Sequence, residues 1–475
     1  MIVLDYWTIF FLDLTVLLGC LVAMLRFGRL TALHPASLYF FFHGYTFTFR
    51  LFQLANGAPT LFEAWALQFS PITPAEIQRA SFVSLVALIV MTLVWLFLSR
   101  RRQEIPVSNL NSHNFRPFSE RLMWMILVFT LPVGLIAFIV LRGPIFSGDP
   151  SASLSVWATS SYLISMYQWF GISLLALIYY YGFRPLLIIP LIIYLILGLL
   201  TFPFRMMVIV PGLFVVFVYL RRKEVRWPSW RLALPLSLMI LLFVSGKELG
   251  PILRQGDLEG AWNLLTGRIT QMRVGTHGDA MFMDQMAVAL SQIDERGQLY
   301  YGRTYLNLLL LPIPRALWPE KPGLADWQKE IQTARRPTGD MGAIVTALGE
   351  AYANFGYAGI LLYSVFIGWL LNTLYNNMFQ APYYSVVNFW SLCVYALLIQ
   401  VFRDGLVSFF TFQVTTLMPL TMITILHLIV LRSRRSIRGN VKSWATIFDR
   451  PNTYIDEEGH TRHRIASAFA SLRTR

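Results

Sequence analysis

Apolar residues run along this chain in long stretches separated by short polar clusters rich in Arg and Lys. Eleven stretches stand out, at 6–25, 33–54, 80–98, 121–141, 157–180, 185–201, 206–220, 232–247, 343–375, 384–402 and 408–431. A helix of about 20 apolar residues crosses the hydrocarbon core of a bilayer. The pattern therefore predicts an all-α polytopic membrane protein with about eleven spans. The first begins after Met1 to Asp5, a segment with no basic residue, so it reads as an uncleaved helix rather than a signal peptide.

The pattern also divides the chain. Residues 1–247 hold spans one to eight and 343–432 hold spans nine to eleven. Between them, 248–342 forms a large loop, and 433–475 a basic tail. The loop is not a bare linker. Met281 to Leu290 places apolar residues at helical spacing, and Pro312, Pro314, Pro319 and Pro322 punctuate a turn-rich passage. A long loop with structure of its own is usually functional.

Composition narrows the class. Hydrophobic residues are 56% and charged residues 13% of 475 positions, where a soluble domain carries about 25% charged. That excludes an ordinary soluble enzyme, a disordered chain and a nucleic-acid-binding domain. Cys20 and Cys393 lie in apolar stretches and read as small hydrophobes.

The net charge of +14 matters through its placement. Arg26 and Arg29 follow span one, Arg100 to Arg102 span three, and Arg184 span five. Arg221, Arg222, Lys223, Arg226 and Arg231 follow span seven, and Arg432, Arg434, Arg435, Arg438 and Lys442 follow span eleven. Basic loops stay cytoplasmic, which sets the N-terminus outside and the C-terminus in the cytoplasm. The segment 247–340 then lies outside, and its 11 basic and 11 acidic residues balance.

Ionisable residues near the spans come next, because a charge at a helix centre costs about 2.5–3.5 kcal/mol on translocon scales. Arg50, Arg205, Glu350, Arg403 and Asp404 are all expected at or just below the outer face. For Arg50, snorkelling to the headgroups is an equal reading. Asp13 reads as a buried hydrogen-bonding group. Several guanidinium groups at one membrane face suit phosphate oxygens, which their planar fork binds bidentately. The chain has no P-loop, no HExxH or other spaced metal-ligand set, and no GxSxG elbow. No metal or cofactor is expected, and a lipid-linked pyrophosphate is the anion that fits.

Four passages carry a family resemblance. YGRTYLNLLLLPIPRALWPEKPG (301–323) resembles the outer-loop signature of Wzy-type oligosaccharide repeat-unit polymerases, the group that includes those of O-antigen and enterobacterial common antigen. TFPFR (201–205) resembles the family's "G-T/S-R" turn, with Phe204 where that turn has its residue before Arg205 and with no preceding Gly. RDGL (403–406), followed by SFF (408–410), resembles its "R-E/D-G…S-F" segment. GEAYANFGYAG (349–359) resembles the "G-E…NFG…G" passage of bacterial polysaccharide polymerases. The resemblance covers roughly 1–432. It implies a GT-C-like glycosyltransferase of the bacterial inner membrane, working on its periplasmic face. Its donor and acceptor would be undecaprenyl-pyrophosphate-linked oligosaccharides, with a chain-length regulator as a further partner and no nucleic acid.

That chemistry assigns roles. Arg205 and Arg403, then Arg315 and Lys321, would stabilise the departing pyrophosphate. Asp404, Glu350, His277 or Asp279 would take the proton of the acceptor hydroxyl. Asp404 is equally readable as the partner that orients Arg403, and Glu350 as a hydrogen-bond partner of Tyr352 or of a neighbouring helix. Trp262, Tyr300, Tyr301, Tyr305, Trp318 and Trp327 would stack on sugars or pack the loop onto the interface. An O-antigen ligase transferring to lipid A core shares the architecture, though the IPRALWP passage favours a polymerase. A lipid-linked oligosaccharide flippase or transporter would show internal repeats and midplane charges, and neither is clear. A non-catalytic scaffold leaves Arg205 and Arg403 unexplained.

Overall fold

The computed structural model describes residues 3–28, 30, 31, 34–60, 72–99, 124, 125, 128–137, 139, 140, 166, 168–182, 184–200, 214, 249, 252, 253, 255–270, 282–310, 313, 318, 320, 321, 326–333, 345–380, 386–422, 424–426, 429, 454, 455, 461 and 462. The chain divides into two units, Met1–Thr421 and Met422–Arg475. The described elements of the second include a two-residue antiparallel pair, in which Tyr454 faces Arg462 and Ile455 faces Thr461.

The first unit is helical throughout its described residues. In chain order it holds α1 (Tyr6–Phe27), α2 (Pro35–His43), a π-helical turn (Gly44–Thr48) and α3 (Phe49–Ala55). Next come α4 (Pro74–Ser99), α5 (Val128–Ala137), α6 (168–181) and α7 (Pro185–Leu200). The loop region contributes α8 (Leu258–Thr270), α9 (Phe282–Arg296), the short α10 (Arg303–Leu306) and α11 (Asp326–Thr333). The chain then forms α12 (Ala347–Gln380), α13 (Val386–Ala396) and α14 (Leu398–Thr416).

Three of these, Tyr6–Phe27, Pro74–Ser99 and Ala347–Met378, are long and apolar enough to cross a membrane. Their outer surfaces suit lipid. On α4, Phe82, Val86, Ile89, Leu93 and Phe97 form an exposed stripe at helical spacing, and Leu361, Val365 and Trp369 continue the pattern on α12. Exposed apolar surface of that extent marks a helix bathed in hydrocarbon. The protein is thus an α-helical membrane protein. The stretches expected at 206–220 and 232–247 lie outside the described residues, Phe214 excepted.

The long helices run parallel. Leu4 N–H donates to Gln78 Oε1 at 2.9 Å where α1 and α4 begin. The Arg79 guanidinium donates to the Tyr352 hydroxyl where α4 and α12 begin. Four turns further on, the Trp95 indole N–H donates to the Gly368 carbonyl at 3.0 Å. A parallel pair requires an odd number of crossings between residues 99 and 347.

Buried polar groups tie the bundle together. Asp13 on α1 meets His43 Nε2 at 3.1 Å and accepts the Thr48 hydroxyl at 2.5 Å. The π-helical turn joins these two donors, and a widened turn is the kind of irregularity that re-aims side chains. Asp13 is the buried hydrogen-bonding group that its sequence context suggested.

Two expectations gain detail. The last two spans were expected to separate at 403–407, and a break does fall there, at Gly405. A further break at Leu397, before the helix that carries Arg403 and Asp404, was not expected. The break at Leu397 sits inside an apolar run, where hydropathy carries no signal. The second concerns α9, read as an amphipathic outer-loop helix. Eleven of its residues are buried, Asp284 among them, because it packs against α4 and α12. Asp284 finds a buried partner in Arg50 rather than water, while Asp294 and Glu295 at the far end stay exposed.

Candidate functional site

Two glycines break two helices, and the breaks meet. In α14, Gly405 adopts φ 90 and ψ −177, a left-handed extended conformation that only glycine holds cheaply. In α12, Phe355 and Gly356 leave helical geometry, Gly356 with φ 60 and ψ −144. A broken helix within a membrane protein must satisfy its freed backbone groups internally. Here it does. The Tyr363 hydroxyl donates to the Val401 carbonyl at 3.1 Å, one turn before Gly405. The N–H groups of Tyr300 and Tyr301 donate to the Ala353 and Asn354 carbonyls at 2.9 and 3.0 Å, just before Gly356.

Glu350 links the two breaks. Its carboxylate stands in the first turn of α12, 1% exposed. Oε2 accepts the Leu406 N–H at 3.0 Å, capping the half-helix that restarts after Gly405. A methyl group on Gly405 would land on Glu350 Oε2. Oε1 has no hydrogen-bond partner. Of its two expected partners, the neighbouring helix is the one it meets, while Tyr352 donates to Asp294 Oδ1 at 2.6 Å.

Arg403 and Asp404 lie on the N-terminal side of the same break, 5% and 8% exposed. Arg403 Nε sits 3.4 Å from Asp404 Oδ1, and its guanidinium carbon lies 5.5 Å from the centre of the Phe282 ring at the start of α9. One cation and two carboxylates, nearly dry, thus converge on one backbone kink.

The loop before α10 closes over this cluster. Asn354, one turn after Glu350, donates through Nδ2 to Thr304 Oγ1 at 2.7 Å and to the Glu350 carbonyl at 2.9 Å. Tyr305 stacks on Phe355 with ring centroids 6.5 Å apart. Burial lifts the Tyr305 phenol above its ordinary value, the Glu350 charge adds to this, and the Asn354 side chain opposes it.

The other expected residues fall differently. Arg205, Arg315, His277 and Asp279 lie outside the described residues. Lys321 donates to the Ile313 carbonyl at 2.9 Å. Arg50 does not snorkel. It is buried and bidentate on Asp284, with Nε to Oδ1 at 2.9 Å and Nη2 to Oδ2 at 2.7 Å. The anion it needed is a protein carboxylate. Among the loop aromatics, Trp327 is buried beside Tyr300, while Tyr301 and Trp262 are exposed. Asn354 and Thr304 were missed. The signal was the spacing of Glu350 and Asn354, four residues apart on one helical face.

Comparison with family models, curated proteins and solved structures finds no match to this chain.

Proposed function

We propose that this chain is a membrane glycosyltransferase of the Wzy type, polymerising undecaprenyl-pyrophosphate-linked oligosaccharide repeat units at the periplasmic face of the bacterial inner membrane. Its N-terminus then lies in the periplasm and its C-terminus in the cytoplasm. The motif resemblance supports the reading, and one observation carries it. Two of the passages that bear the resemblance, around Glu350 and around Arg403 and Asp404, are remote in sequence yet meet at one buried kink.

The chemistry follows from the groups present. The bond between the donor sugar C1 and the pyrophosphate oxygen breaks, and its electron pair leaves with undecaprenyl pyrophosphate. Arg403 stabilises that charge in a poorly solvated site, where a fixed donor is worth about 2.7–4 kcal/mol. The acceptor hydroxyl oxygen bonds to C1, and its proton passes to a carboxylate. Glu350, with an oxygen to spare, is the base, and Asp404 orients Arg403. Undecaprenyl carriers and a chain-length regulator are the partners.

The test is transfer itself. Purified protein in liposomes, given lipid-linked repeat units, should produce a ladder of lengthened glycans. Absence of any ladder from folded protein would reject the reading. A single transfer to lipid A core would mean a ligase instead.

A further inference from the structure

Two buried oxygen acceptors stand one turn apart on α12 with no donor in bonding geometry, although the Thr304 hydroxyl lies near the Glu350 carboxyl and the Tyr305 phenol near the Asn354 amide. Glu350 Oε1 and Asn354 Oδ1 both lack a hydrogen-bond partner, on side chains of residues 1% and 0% exposed. The Asn354 orientation is fixed chemically. The Glu350 carbonyl can only accept, so Nδ2 faces it and Oδ1 is the atom left over. A buried acceptor without a donor costs about 1–3 kcal/mol, and native proteins seldom keep two together unless a ligand supplies the donors. Both are acceptors, so the ligand brings O–H or N–H groups. An anion such as the pyrophosphate would be repelled.

We propose that Glu350 Oε1 and Asn354 Oδ1 form a hydroxyl-recognition subsite for the acceptor sugar, with Asn354 its specificity-determining residue. This rests on the glycosyl-transfer reading. Two neighbouring hydroxyls of a pyranose can address two acceptors on adjacent helical turns, about 6 Å apart. One hydroxyl gives its hydrogen to Asn354 and orients the ring. The other points at Glu350, the base. The carboxylate and the pyrophosphate-binding Arg403 then flank the Gly405 kink, which would set the acceptor hydroxyl against the donor sugar.

The acceptor reaches these oxygens by lifting the loop above them. That loop is held to α12 by the Tyr300 and Tyr301 N–H bonds and by Asn354 on Thr304. Tyr305, half-buried and stacked on the exposed Phe355, marks the rim.

The experiment measures binding of the repeat-unit oligosaccharide released from its lipid by mild acid, which lacks pyrophosphate and can act only as acceptor. Titration calorimetry with the reconstituted chain gives its Kd. Kinetics with lipid-linked donor give the two KM values. Asn354→Ala should weaken the oligosaccharide about tenfold, the worth of one hydrogen bond, and leave the donor KM unchanged. Thr304→Val removes the amide's protein partner and a hydroxyl beside the Glu350 carboxyl but keeps the Asn354 oxygen, so it should leave the Kd unchanged or lower it. Should Asn354→Ala not accumulate, Asn354→Leu keeps the volume and carries the same test. An unchanged Kd in the Asn354 variants would overturn the subsite. So would equal weakening by Thr304→Val, which would make Asn354 a merely structural residue. Wild-type protein that binds the oligosaccharide without ever transferring would reject the polymerase reading, not the subsite.

Discussion

Glu350 Oε2 accepts the Leu406 N–H at 3.0 Å, across a helix break that Gly405 makes. The carboxylate of one helix thereby caps the restart of another. A carboxylate at a helix N-terminus is favoured by the aligned peptide dipoles, so one side chain both holds the kink open and offers its second oxygen to the site.

Gly405→Ala should therefore be the most damaging single-methyl change near the site. It asks alanine to hold φ 90 and drives a methyl group into Glu350 Oε2. Transfer should fall at least about 100-fold, with a lowered melting temperature. Wild-type transfer rates in Gly405→Ala would show that the kink is not needed.

Glu350→Gln should separate capping from catalysis. The amide oxygen can still accept the Leu406 N–H, so the melting temperature should move little. Transfer should fall by about 10²–10⁴, the usual worth of a general base. Asp404→Asn should lose less and respond less to pH. Equal, small losses in both would leave the hydroxyl without a base.

Arg50 and Asp284 pin α9 to α3 through a buried bidentate pair. Removing one partner strands a charge, which costs about 3–5 kcal/mol, whereas removing both can be neutral. Arg50→Met and Asp284→Leu should each lower the melting temperature in detergent sharply, and the double variant should recover most of it. Additive losses would show that the pair is not the pin.

At the other end of α9, Asp294 meets Arg79 and Tyr352. Burial raises the Asp294 carboxyl, but hydrogen bonds from Arg79 and Tyr352 and the Arg79 charge outweigh it and leave it below the ordinary 3.8. A depressed carboxyl adds stability above its unfolded value and loses it as pH falls through the folded value. Acidification below 3.8 should therefore loosen α9, seen as faster backbone exchange at 282–296, and Asp294→Asn should flatten that response. An acid response unchanged in Asp294→Asn would place it elsewhere.

Much of this was legible in the sequence. Apolar runs located the long helices, since Tyr6–Phe27 and Pro74–Ser99 bracket two of the expected spans and Ala347–Gln380 overlaps a third. The cost of burying charge picked out Glu350, Arg403 and Asp404, and the structure brings these three together. What hydropathy could not show was pairing. Nothing local to Arg50 names Asp284, 234 positions away. Nor could it separate a helix kinked at Gly405 from two helices, because the same residues suit both. Asn354 was hidden for a related reason. Its bond to the Glu350 carbonyl is local, but its bond to Thr304 is a tertiary fact that no local pattern announces.

Arg403 as the pyrophosphate anchor is the claim on which the rest depends. The most direct measurement is equilibrium binding of undecaprenyl pyrophosphate to the reconstituted chain, against undecaprenol as the uncharged control. Wild-type protein should prefer the pyrophosphate, and Arg403→Ala should weaken it about 10–100-fold, the worth of a charge-assisted hydrogen bond, without changing undecaprenol binding. Equal affinity for the two lipids, or undiminished pyrophosphate binding in Arg403→Ala, would contradict the account.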